Sequence, residues 1–260
     1  MTHSRLDAIE DLELSAWPGL ASAHSRGWLI RLSRGFTRRA NSAMALRHGA
    51  DLGPAELADV EALYARHGRP AIVRVTHKAA GGLDDRLAAR GYTLLTPSEV
   101  RIAPIGDLRP DAAPNAAPDA APDAAIVVSA TLPDTWVADF GAANGRPDFD
   151  AAAMAGIIAN IVAPAGFARL AEAGETIAVG MAVVLDGLVE LQSIAVRPHR
   201  RGRGLGRRIL AALMAWGADN GAREAVLSVE AANAPAIRLY NSLGFKLAGR
   251  YHYRLQPTSI

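Results

Sequence analysis

No stretch of the chain restricts its possible folds more than residues 109–124, RPDAAPNAAPDAAPDA, where an Ala-Pro-Asx unit recurs and no side chain is large enough to build a core. Proline holds φ at about −65° and has no amide to donate, so the segment is predicted to be extended and semi-rigid in spite of its alanines. Such a segment can only connect. Residues 1–108 and 125–260 are then two domains of similar length. Half of the 260 residues are hydrophobic, enough to give each domain a modest core.

In the second half, Ile177–Leu185 and Leu188–Val196 are β-rich runs around Asp186-Gly187, a two-residue turn signal that predicts a hairpin. Ile209, Leu210, Leu213, Met214 and Gly217 then fall on one helical face. Glu224–Glu230 is a further strand. Asn233 can cap a helix with Pro235 in its first turn and Ile237, Tyr240 and Leu243 on its buried side; Gly244 ends it, and Phe245–Leu255 is the last strand.

The first half closes in a similar order. Pro54–His67 has helical spacing at Leu57, Val60, Leu63 or Tyr64, and His67; Ala71–Val75 reads as a strand, and Leu83–Arg90 as a short helix closed by Gly91-Tyr92. Setting PAIVRVTHKAAGGLDDRLAARGYTLL beside EAVLSVEAANAPAIRLYNSLGFKLAG matches strand with strand, helix with helix and Gly91-Tyr92 with Gly244-Phe245. A duplicated α/β unit accounts for this, as would the common grammar of strand-helix-strand units.

Between Val196 and the amphipathic helix lies RPHRRGRGLGRR, in which Gly202, Gly204 and Gly206 alternate with larger residues. Small residues where a strand hands over to a helix leave consecutive backbone amides uncovered, and a helix N-terminus adds unsatisfied donors and the positive end of its dipole. A phosphate or pyrophosphate fits there. A Walker loop would need Gly-Lys-Ser/Thr, and a dinucleotide fingerprint would need a glycine where Arg207 stands, so neither applies.

What does fit is Arg201-x-x-Gly204-x-Gly206, which resembles the Arg/Gln-x-x-Gly-x-Gly/Ala acetyl-coenzyme A loop of the GNAT acetyltransferase superfamily. The strand VLSVE, then Asn233, then AIRLYNSLGF is similar to that superfamily's second motif. The likeness covers residues 126–260 and reaches the first half as a degenerate copy, so the chain is identified as a tandem-GNAT protein. It implies an α/β fold of the α+β mixed-sheet kind: two GNAT-like units, each a mostly antiparallel twisted sheet flanked by helices. It also implies that acetyl-coenzyme A is the co-substrate of N-acetyl transfer to a primary amine, directly within a ternary complex.

By the same resemblance Ala195 and Val196 offer backbone groups to the pantetheine arm, and amides of Arg201, Gly202, Arg203, Gly204, Leu205, Gly206 and Arg207 bind the pyrophosphate. Asn233 matches the coenzyme-contacting asparagine, Tyr240 the tyrosine that protonates the departing thiolate, and Glu190 the carboxylate that takes a proton from the amine. The chemistry needs each role, because an amine with a pKa of about 10 is mostly protonated at neutral pH and must lose a proton before it attacks a thioester. Plainer readings stand beside these: Tyr240 as a packing aromatic, Asn233 as a helix cap only, and Glu190 as a solvated strand residue, with Glu230 as the other base.

Composition narrows the remaining classes. The chain has no cysteine, which excludes disulfides, thiolate metal sites and a cysteine acyl-enzyme. The formal net charge of +2 is weak for a nucleic-acid binder, although Arg197, Arg200, Arg201, Arg203, Arg207 and Arg208 could contact phosphates; no aromatic interrupts them for base stacking. A catalytically silent coenzyme A-binding module is the other alternative. No metal-binding spacing is present, and His199 reads as a loop residue. The opening MTHSRLDAIEDLELSAW has no basic segment ahead of an apolar core, and no run reaches about 18 uncharged apolar residues, so a cytoplasmic protein is expected. A small-molecule amine or a protein or peptide amine is the expected acceptor, its pocket built from Thr131–Ala163 and the first half. There the hairpin GWLIRLSRGFTRRANSAMAL is predicted to carry Arg38, Arg39, Asn41 and Ser42 on a strand facing solvent, the linker side or the other half. The first half, with Leu87 where Tyr240 stands, is expected to bind no coenzyme but to dock on the second, as an internal pseudo-dimer or within a homodimer.

Overall fold

A computed structural model describes residues 3–106, 125–145 and 149–257, so the linker 109–124 lies outside the described residues. The first half runs through α1 (His3–Ala16), β1 (Ala21–Ser25), β2 (Trp28–Leu32), β3 (Ala43–Ala45), α2 (Pro54–Arg66), β4 (Ile72–Val75), α3 (Leu83–Ala89) and β5 (Thr93–Pro104). The second runs through β6 (Ile126–Ser129), α4 (Trp136–Asn144), α5 (Ala151–Ala159), β7 (Ala165–Glu172), β8 (Glu175–Leu185), β9 (Leu188–Val196), α6 (Leu205–Asp219), β10 (Glu224–Glu230), α7 (Ala234–Ser242) and β11 (Lys246–Leu255).

All eleven described strands join one mixed sheet in the order β1-β2-β3-β4-β11-β5-β10-β9-β8-β7-β6. Among the described strands only β3–β4 and β9–β10 pair in parallel, each pair spanned by a crossover helix, α2 or α6. The two halves do more than dock, because each gives its last strand to the other. β11 lies between β4 and β5, with Leu255 opposite both Ile72 and Thr93, while β5 lies beside β10, with Glu230 opposite Ser98.

The duplication is visible in the turns. Gly91 and Gly244 both take a left-handed φ, 80° and 84°. Tyr92 N donates to Leu87 O, and Phe245 N to Tyr240 O, each at 3.0 Å. The same C-terminal helix closure therefore recurs, and Leu87 stands in the first copy where Tyr240 stands in the second.

One core layer lies between the sheet and α6, where Ile209, Leu210, Leu213 and Met214 are buried as their spacing predicts. Gly217 continues that stripe because a Cβ there would come within 2.9 Å of Val189 Cγ1. On the opposite face α1 and α4 bury Leu12 and Trp136 against β8 and β9, and α5, which carries buried Met154, packs on α4. α2 and α3 cover the first half with Leu57, Val60, Tyr64, Leu83 and Leu87.

Three local expectations are corrected. His67 caps α2 in solvent and takes no part in the core. α7 buries none of its residues completely, so Ile237 and Tyr240 are half-buried while Leu243, just beyond, is buried. Arg38, Arg39, Asn41 and Ser42 lie in the loop between β2 and β3, not on a strand, because Asn41 staples that loop: its Oδ1 accepts from Ser33 N and Gly35 N, and its Nδ2 donates to Phe36 O and Thr37 O.

Candidate active site

The hairpin turn at Asp186-Gly187, both with positive φ, sets β9 antiparallel to β8. On its other edge β9 pairs with β10 only at Leu188–Glu190, opposite Glu224–Val226. Past Glu190 the two strands part. A bulge assists, since Val179 faces Ala195 but Met181 faces Gln192, and Ser193 takes φ 53°. The remainder of β10 stays paired to β5, so residues 191–196 and 227–230 form the walls of a V whose facing backbone edges are open. Ala195 and Val196 lie at its mouth, where the Val196 carbonyl accepts from Arg201 Nε at 3.1 Å.

Beyond Val196 a 3-10 turn, Pro198–Arg200, leads into the glycine loop. Gly202 and Gly204 hold φ of 78° and 72°, left-handed values that larger residues resist. α6 starts at Leu205 with Gly204 as its cap, so no side chain covers its first amides. At α5 and α7, in contrast, Asp150 and Asn233 accept from Ala153 N and Ala236 N. The amides of Leu205, Gly206 and Arg207 and the positive end of a fifteen-residue helix are thus presented to an anion.

The arginines around the loop are largely committed within the molecule. Arg197 Nε meets Glu175 Oε1 at 3.0 Å and Thr176 O at 2.8 Å, Arg200 meets Glu172 at 2.6 Å, and Arg207 donates to Ser242 Oγ at 2.6 Å. His199, 3.8 Å from Glu175, is an exposed loop residue. Arg203 is exposed beside the glycines. The run braces the loop against the β7–β8 hairpin and α7, which leaves the backbone as the anion donor.

Glu190, where the strands part, is fully buried, so the reading of a solvated strand residue is corrected. Its Oε1 accepts from Arg39 Nη1 at 2.6 Å, and Arg39 Nη2 reaches Gln192 Oε1 at 2.7 Å. Oε2 is buried without a hydrogen-bond partner. Burial pushes the carboxyl above its ordinary value, opposed by the Arg39 guanidinium and helped by the nearby charge of Glu13. Arg39 itself lies over the Trp17 ring, 5.3 Å from its centroid. Glu13, on α1, pairs with buried Arg74 and accepts from Ser228 on β10, while Gln192 Nε2 donates to Ala16 O. Arg39, Glu13 and Arg74 belong to the first half; Arg39 is one of the polar residues expected to face solvent, the linker side or the other half, and it faces the other half, while Glu13 and Arg74 had no signal in any motif.

Tyr240 rests edge-on against Phe245, ring centroids 5.9 Å apart, and its hydroxyl makes no hydrogen bond among the described residues. Burial raises its pKa. Asn233 is the cap of α7, and Glu230 is exposed at the end of β10. A cavity of about 480 Å³ opens where the Asn41 loop meets the start of α5, lined by Arg34, Asn41, His67, Arg69 and Asp150 among others.

Over residues 3–254 the sequence matches the family described as "Probable histone acetyltransferase Rv0428c C-terminal". It is 25% identical over 252 residues to the Bacillus subtilis (strain 168) protein named "Uncharacterized N-acetyltransferase YobR", covering 95% of this chain and 97% of that one. The fold is similar to that of a GCN5-related N-acetyltransferase from Kribbella flavida, with a TM-score of 0.68 and 19% identity over 98% of this chain and 96% of the other. It is also similar to a tandem GNAT protein from the clavulanic acid biosynthesis pathway, with a TM-score of 0.64 and 15% identity over 97% and 89%.

Proposed function

The chain belongs to the acetyltransferase family that it matches from residue 3 to residue 254 and is a tandem GNAT N-acetyltransferase; on that premise we propose that it moves the acetyl group of acetyl-coenzyme A directly onto a primary amine. The observation that carries this reading is the V between β9 and β10, which opens beside the uncapped N-terminus of α6. An extended pantetheine arm would extend β9 from Ala195 and Val196, and the pyrophosphate would sit on the amides of residues 201–207. Asn233 caps α7 at the other wall, where it can also face the coenzyme.

In the reaction the amine nitrogen attacks the thioester carbonyl, the C–N bond forms and the C–S bond breaks. Glu190 takes the amine proton through water on its unpartnered Oε2, since its raised pKa suits a base working near neutral pH. Tyr240, with a free hydroxyl and a raised pKa, returns a proton to the thiolate. The acceptor enters from the side of the Asn41 loop and α5, where the cavity mixes cationic, acidic and amide groups suited to a polar amine. Only the second half carries a glycine loop, so one coenzyme binds per chain.

Gly206 offers the cleanest test. Its φ is ordinary and a Cβ would lie 3.7 Å from Leu239 and 3.9 Å from Val196, so a side chain is tolerated by the fold yet covers the anion site. Gly206→Glu should leave circular dichroism and the thermal midpoint nearly unchanged and abolish acetyl-coenzyme A binding in calorimetry. Unchanged affinity would remove the loop from the site.

A further inference from the structure

We propose that Asp7, His48 and His77, in the first half, form a binding site for a divalent transition-metal ion of the zinc class. One ligand atom from each lies within 4.8 Å of the others. Asp7 Oδ2 is 3.0 Å from His48 Nε2, and Asp7 Oδ1 is 2.9 Å from His77 Nε2. Zinc bonds of about 2.0–2.1 Å in a tetrahedron place ligand atoms about 3.3 Å apart, so small side-chain rotations would admit the ion. The His48 side chain is about half exposed, so solvent reaches the cluster.

His77 faces a carboxylate on each side, Asp7 at Nε2 and Glu10 Oε1 at Nδ1, 3.1 Å away. A neutral imidazole has one N–H, so if Nδ1–H is donated to Glu10 the Nε2 lone pair faces the Asp7 carboxylate. That contact repels unless a proton or a metal ion stands between them. A carboxylate holding Nδ1–H is the arrangement that fixes the tautomer of a metal-binding histidine. Glu10 is buried, and its remaining oxygen lies 3.2 Å from Lys78 Nζ, which also approaches Asp7 at 3.6 Å and Asp11 at 3.9 Å.

The frame is braced. His48 and His77 sit on separate turns, tied together where Gly49 N donates to Lys78 O and Ala80 N to Ala50 O, each at 2.9 Å. An ion would fasten the start of α1 to both turns, and α1 carries the Glu13 and Ala16 contacts to Ser228 and Gln192 at the V. Residues 7, 48 and 77 are too far apart in sequence to form a spacing motif, so only the fold brings them together.

The full chain, dialysed against zinc at pH 7.5, should retain one ion per chain and show a raised thermal midpoint. X-ray absorption at the zinc edge should show imidazole scattering. His77→Gln and Asp7→Asn should each weaken binding at least 10-fold, and Glu10→Gln by about 10–100-fold. The idea fails if no zinc is retained, the two histidines being then bridged to Asp7 by protons alone. It fails equally if the His48→Gln/His77→Gln double variant retains zinc as the native chain does. Should that variant not fold, an edge spectrum of the native chain without imidazole scattering overturns the proposal by itself.

Discussion

Tyr240 and Leu87 occupy one position in two copies of the same helix-closing turn, and the first half carries neither a hydroxyl there nor a glycine loop. Packing needs only the ring, since the Tyr240 hydroxyl makes no hydrogen bond among the described residues. Tyr240→Phe should therefore leave the thermal midpoint and coenzyme affinity nearly unchanged and lower kcat by about 10²–10⁴-fold with a good amine acceptor. Full kcat in that variant would make the tyrosine structural. Residues of this kind were legible because the Gly-Phe closure and the glycine spacing are local patterns. Arg39 was legible only as one of a polar cluster that could face the other half, because its partner Glu190 lies 151 residues away and nothing in RRANS marks which arginine is used. Asn41 was misread for a related reason. Its polarity was visible, but not the four hydrogen bonds that turn an apolar hairpin into a loop.

At the scale of elements, the exchanged strand β11 is clamped by a helix of the other half. Asp84 on α3 accepts from Arg254 Nε at 2.7 Å and Nη2 at 2.8 Å, a two-pronged contact, and from His252 at 2.6 Å. The Arg254 hydrogen bond, then that of His252, hold the Asp84 carboxyl below its ordinary 3.8, at about 2. A depressed carboxylate pKa contributes stability that is full above about pH 4 and is lost as pH falls through 2. The side chain is 37% exposed, so after solvent screening the contribution is about 1 kcal/mol or less. Between pH 7 and pH 3 the native chain should thus lose slightly more stability in urea titrations than Asp84→Asn does. Equal pH slopes would show that the clamp carries no charge-dependent weight. Strands and helices were themselves legible, because alternation and helical spacing are set by burial on one face. The parting of β9 from β10 was not, since VELQSIAV shows where alternation breaks, at Gln192-Ser193, but not that the pairing partner changes there.

At the scale of the whole molecule, duplication could be read and strand exchange could not, because the pattern of a strand records which faces are buried and not which neighbour it pairs with. The consequence concerns the fragment 125–260, which by the linker argument should fold alone and still bind acetyl-coenzyme A. It would lose β5, the partner of Glu224–Glu230, and leave β11 without β4 and β5 on either side. An open strand edge next to Val226 and Leu227 invites pairing with another copy. It would also lose Arg39 together with α1 and the Asn41 loop, which cover Glu190, so that carboxylate would open to solvent. The fragment should therefore run as a dimer or larger species in light scattering and melt well below the full chain. Glu190→Gln should leave the melting temperature of the fragment nearly unchanged and lower that of the full chain, where Arg39 would lose its carboxylate. A monomeric fragment as stable as the full chain, or an equal Glu190→Gln change in both, would mean that the exchanged strands and the Arg39–Glu190 pair do not hold the two halves together.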